Sequence, residues 1–140
     1  MPIIARVVNA LSWGIALAFV IRLALAWNSL PDQVAAHFTR AGDPDLFISR
    51  AALAIQASGA VLVAPVLATF MRFDRFGHAF LFGTTVILTI AFWMVVDFNV
   101  NGRPISSAPA ILGAGSVAAV AAFLILGRAA SASTPSTRSE

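Results

Sequence analysis

The chain has 140 residues, 59% hydrophobic and only 11% charged, with a mean hydropathy of +0.89, whereas soluble domains run at about 45–50% and 25%. Its net charge of +3 comes from nine arginines scattered singly against six acids, so no basic face for nucleic acid is formed. Without cysteine or lysine, disulfides, thiol nucleophiles, thiolate-held zinc or iron–sulfur clusters and Schiff-base chemistry are all excluded.

The apolar residues gather into four blocks, and crossing a bilayer takes roughly 20 apolar residues of helix. The first, 7–27, is apolar apart from Asn9, Ser12 and Arg22, and it closes on Trp27, where an aromatic belt residue sits. Ala24-Leu25-Ala26 resembles a signal-peptide cleavage site, but the length of the block and Arg22 just before it favour a retained span. The second block, 51–71, has Ser49 placed to cap its start and Pro65 within it.

The third block, 79–97, runs without charge until Asp97, beside Trp93 and Phe98. The fourth, 109–127, starts on Pro109 and is rich in small residues: Gly113, Gly115, Ser116, Ala118, Ala119 and Ala122. Such residues let helix backbones approach closely, within one chain or against a second copy in a homo-oligomer. The reading is an all-α membrane protein: a four-helix transmembrane bundle in one domain (1–128), with an ordered extracytoplasmic loop between helices 1 and 2. A Ser- and Thr-rich tail (129–140) reads as disordered.

Orientation follows from the arginines flanking the spans, since basic residues resist translocation. Arg6, Arg72, Arg75, Arg128 and Arg138 fall on one side, and Arg40, Arg50 and Arg103 on the other. This predicts a multi-pass protein of the cell membrane with both termini cytoplasmic and the first loop outside. His78, in the short connection before the third span, reads as a solvated interfacial residue.

The segment 30–50 is too polar for lipid and holds three of the six acids and one of the two histidines. Leu30, Val34 and Phe38 fit one face of a helix, while residues 34–39 equally suit a short extended piece. Arg40 to Asp45 is a turn on composition alone. His37 with Asp43 and Asp45 offers the chemistry of a cation or proton site, against which stands an ordinary loop hydrogen bond, because no second histidine lies near.

The ordered set Leu30-Pro31-Asp32, His37-Phe38, Gly42-Asp43-Pro44-Asp45 and Ser49-Arg50 resembles the domain of unknown function at the N-terminus of SdpI-type membrane proteins, with Phe47-Ile48 where a tryptophan or tyrosine with glycine is usual. The resemblance covers about the first 75 residues. It implies that the segment after the first helix is the module's characteristic part, and that Pro31, His37, Phe38, Gly42, Pro44, Asp45 and Arg50 carry its pattern. The type member is an immunity protein against a secreted toxin and signals to a repressor. A peptide or membrane-protein partner at the outer loop is therefore an expectation of the resemblance.

Arg22 lies five residues before Trp27, about 7.5 Å along a helix. It either snorkels to the interface or pairs with Asp97 near the outer ends of helices 1 and 3. The chain has no nucleophile beside a base, no glycine-rich phosphate loop and no two-histidine metal motif. We therefore expect a non-enzymatic recognition, immunity-like or signalling module in the lipid bilayer, without cofactor, metal or nucleic acid. The alternative is a small transporter with Arg22 and Asp97 near its outer mouth.

Overall fold

The computed structural model describes residues 3–39, 41–71, 73–103, 113, 115–118, 120–122, 124–125 and 128. Helix α1 (Ile3–Ala26) ends in a 3-10 turn (Trp27–Ser29), followed by strands β1 (Gln33–Phe38) and β2 (Pro44–Ser49) and by helices α2 (Arg50–Phe70) and α3 (Arg75–Asn101). Among the described residues, three helices are long and apolar enough to cross a membrane, over Ala5–Ser29, Arg50–Phe70 and Phe76–Asn101, and each packs against the other two. Nine of the nineteen residues of the expected fourth span (109–127), and the tail 129–140, lie outside the described residues. The described residues between 113 and 128 are helical.

Two expectations are corrected here. The chain is mostly helical but not all-α, because the loop between the first two spans contains an antiparallel hairpin of β1 and β2. The third helix is also longer than the apolar block 79–97. Its ends are set by caps: the Asp74 carboxylate accepts from Gly77 N at 2.8 Å, and Gly102, at φ 67°, donates its N–H to Phe98 O at 2.8 Å. A glycine in the left-handed region is the usual device for closing a helix C-terminus. A charge such as Asp97 does not stop a helix, so the apolar pattern stopped short of the hydrogen-bonded one.

Lengthening α3 also relocates His78, which is 4% exposed rather than solvated. It sits in the first turn, its Nδ1 bonded to the Asp74 carbonyl at 3.0 Å and its ring edge-on to Phe73. A carbonyl only accepts, so Nδ1 carries the proton in this contact.

Ser49 caps α2 as its position suggests, accepting from Ala52 N at 3.2 Å, and α2 stays continuous through Pro65. The main core joins Ala16, Phe19 and Leu23 of α1 to Leu53, Ala57 and Val61 of α2 and Val96 of α3. Leu30 and Val34 belong to the same cluster. The hairpin is thus pinned into the end of the bundle by its own apolar side chains.

Gly115 packs directly on α3, since a Cβ there would overlap the Ile87 side chain. At this position the small residue is used within the chain.

Candidate functional site: the hairpin cap

Residues 30–50 fold where α1 and α3 end and α2 begins, and every anchor can be traced to local chemistry. Strand β1 aligns with β2 in the register Gln33 to Ser49, Val34 to Ile48, Ala35 to Phe47, His37 to Leu46 and Phe38 to Pro44. Ala36 and Asp45 are skipped in that register, so the ladder is irregular on both sides of His37. Bulges of this kind re-aim side chains. Here His37 and Asp45 meet, with Nδ1 and Oδ1 2.6 Å apart on an exposed surface.

The turn falls where composition placed it. Gly42 N donates to Thr39 O at 2.9 Å, Thr39 N to Asp43 O at 2.8 Å, and Asp43 N to the Thr39 hydroxyl at 3.2 Å. Gly42 has φ 93°, a conformation that a residue with a Cβ rarely adopts. Arg40 lies outside the described residues. Asp43 serves the turn through its backbone, while Asp45 pairs with His37. Among the described residues no three His, Asp or Glu side chains converge.

Three contacts fasten the hairpin to the helices. Arg50 donates its backbone N–H to Asp32 O at 3.1 Å and Nη1 to Leu30 O at 3.4 Å, and its Nη2 lies 3.3 Å from the Asp32 carboxylate. The same guanidinium stands over the Trp27 ring, 5.2 Å from its centroid. Phe38 meets Phe98 of α3 edge-to-face, centroids 4.8 Å apart. Pro31 is exposed at the start of this loop.

The third contact involves Asn99, a residue that the sequence pattern did not single out. Its Oδ1 accepts from Ala35 N at 2.8 Å, and its Nδ2 donates to Ala35 O at 2.9 Å and to Val95 O at 2.8 Å. The side-chain amide therefore acts as one residue of a third strand, satisfying both backbone groups of buried Ala35. The only hint in the sequence was a second polar residue just after Asp97 in an apolar block.

The proposed pairing of Arg22 with Asp97 is corrected. The Asp97 carboxylate accepts from Asn101 Nδ2 at 2.6 Å and faces Arg103 Nη1 at 3.6 Å, whereas the Arg22 guanidinium lies 5.6 Å from the Trp93 ring centroid. Arg22 therefore stands level with Trp93, one turn before Asp97 on α3. Arg103, just past the Gly102 cap, reaches Asp97 without crossing between helices.

Several hydroxyls within the spans are bonded to their own helices: Ser12 to Val8 O, Thr69 to Pro65 O, Thr84 to Phe80 O and Thr85 to Leu81 O. Thr69 Oγ1 also accepts from Asn9 Nδ2 and Trp13 Nε1, both at 3.0 Å, joining α1 to α2 at the end opposite the hairpin.

Two large apolar side chains stay open among the polar residues of the cap. Leu46 and Phe47 are 52% and 55% exposed on β2, beside the His37–Asp45 pair. A clamped β-ribbon that displays large apolar side chains next to a polar pair has the chemistry of a contact surface.

Residues 13–69 match the family described as Domain of unknown function (DUF1648). The match takes in α1 from Trp13, the whole hairpin and nearly all of α2, and it ends before α3. No curated protein and no solved structure shows significant similarity to the chain.

Proposed function

We propose that this protein is a non-enzymatic membrane module whose hairpin, on the outer face of the cell membrane, recognises a peptide or a partner membrane protein, in the immunity-like or signalling manner of the SdpI N-terminal region. The observation that carries the reading is the contrast within the hairpin: Leu30, Val34 and Ala35 are buried, while Leu46 and Phe47 are open. Ordered strand residues whose large apolar side chains stay unburied are expected of a surface shaped for a partner. The motif resemblance over 30–50 supports the immunity-like form.

In the transport reading, Arg22 and Asp97 formed a charged mouth. With Arg22 on Trp93 and Asp97 on Arg103 and Asn101, that support is gone.

Two measurements test the proposal. Ala41 sits exposed in the hairpin turn of a chain without cysteine. Ala41→Cys is expected to be labelled in intact cells by a membrane-impermeant maleimide; labelling only after lysis would reverse the orientation. His37→Ala and Phe47→Ser are expected to lower melting in detergent by little, because an exposed pair contributes under about 1 kcal/mol. The same variants are expected to lose protection against a secreted peptide toxin, or co-purification of a membrane partner, by tenfold or more. Full protection and full partner recovery in both variants would remove the hairpin from recognition.

A further inference from the structure

A cleft of ≈ 370 Å³ lies along the seam of α1 and α2, below the hairpin. Val20, Leu23 and Ala24 of α1 and Trp27 of the 3-10 turn line one wall, and Ala54 and Ser58 of α2 the other. The spacing makes it a groove that runs along the helices. Residues 20, 23, 24 and 27 form one stripe of α1, and residues 50, 54 and 58 one stripe of α2.

The longer wall runs from Val20 to Asn28, eight residues on, about 12 Å at 1.5 Å per residue. One leaflet of hydrocarbon is about 15 Å deep, so the groove matches the depth of a single acyl layer. Its walls are apolar apart from the Ser58 hydroxyl, and Trp27 and Asn28 close the lining at the hairpin end. Arg50 stands there, its guanidinium over Trp27.

We infer that this groove binds one acyl chain of a bilayer phospholipid with an anionic headgroup, the headgroup phosphate meeting Arg50. Charge complementarity selects the occupant. Arg50 is the cation at the head of the α2 stripe, and its ionic partner Asp32 touches it through one oxygen at 3.3 Å with 88% of its side chain in solvent. Such an exposed contact is weak and is readily replaced by a phosphate, which a guanidinium binds in a bidentate fork. Both walls belong to helices long and apolar enough to span the membrane, which places the groove beside acyl chains. A zwitterionic lipid also offers Arg50 a phosphate, but its own headgroup cation offsets that attraction, so the anionic lipid gains more from Arg50.

The test uses the full chain with Trp13→Phe and Trp93→Phe, so that Trp27 is the sole fluorophore, reconstituted in phosphatidylcholine vesicles. Brominated phosphatidylglycerol is expected to half-quench Trp27 at about fivefold lower mole fraction than brominated phosphatidylcholine, the preference that one arginine near an anionic surface provides. Arg50→Gln is expected to abolish that preference. Because Arg50 also ties the hairpin, Ala54→Phe serves as a second variant: it fills the groove without touching the hairpin bonds and is expected to weaken quenching by both lipids. Equal quenching by the two lipids in the unsubstituted groove would overturn the inference, as would a preference for phosphatidylglycerol that survives Ala54→Phe.

Discussion

Asn99→Leu is expected to loosen the hairpin while leaving the three spans folded. The substitution keeps the side chain's bulk but removes the amide that satisfies Ala35 N–H and C=O at 2.8 and 2.9 Å. Ala35 is buried, so both groups would be stranded, each at about 1–3 kcal/mol. The combined loss, about 2–6 kcal/mol, exceeds what the exposed His37–Asp45 and Arg50–Asp32 pairs together supply. Amide hydrogen exchange should report it, with protection at Ala35 falling by two or more orders of magnitude while residues in the middle of α2 stay protected. Asn99→Asp is the informative control. A carboxylate still accepts from Ala35 N but cannot donate to Ala35 O, so it should recover only part of the protection. Unchanged exchange at Ala35 in the leucine variant would mean that the hairpin is held without this clamp.

The second large effect is expected at Gly115. A side chain there meets Ile87 at once, whereas Gly113, two residues earlier, has nothing within 4 Å of a built Cβ. Replacing glycine with leucine in a helix gains up to about 1 kcal/mol of intrinsic propensity, and overpacking a close contact costs about 1–3 kcal/mol or more. The balance therefore differs in sign between the two sites. Gly115→Leu should destabilise the chain in a detergent denaturation series by roughly 2 kcal/mol, and Gly113→Leu should be neutral or slightly stabilising. Ile87→Ala, added to Gly115→Leu, should restore most of the loss, because the two residues share one contact. Equal losses at 113 and 115 would show that helix approach at Ile87 is not what Gly115 provides.

What the sequence made legible and what it hid divide along physical lines. Long apolar blocks announce spans whatever their neighbours do, and Ser49 and the Gly42 turn are local devices, readable within a few residues. The ends of α3 were local too, yet they were written in Asp74 and Gly102 rather than in hydropathy, and a count of apolar residues passes over both caps. His78 was misplaced for the same reason. The hairpin was ambiguous because residues 30–38 fit a helical face and an extended strand alike. The deciding partner, Asn99, stands 64 residues from Ala35, beyond the reach of any periodicity. Arg22 and Asp97 were matched by depth, which leaves out the Trp93 ring one turn earlier on α3 and the arginine just beyond Gly102.

Strand β2 ends at Ser49 and α2 begins at Arg50, so no spare residue lies between ribbon and rod. Ser49 closes the ladder with Gln33 and caps the helix at the same time, and Arg50 is tied back to Leu30 and Asp32. A joint needs at least one backbone unit free to turn, and here each is committed on both sides. Mechanically the ribbon is the handle of a lever whose shaft is α2, and a load on Leu46 or Phe47 is delivered as torque to a helix long enough to reach the opposite side of the membrane.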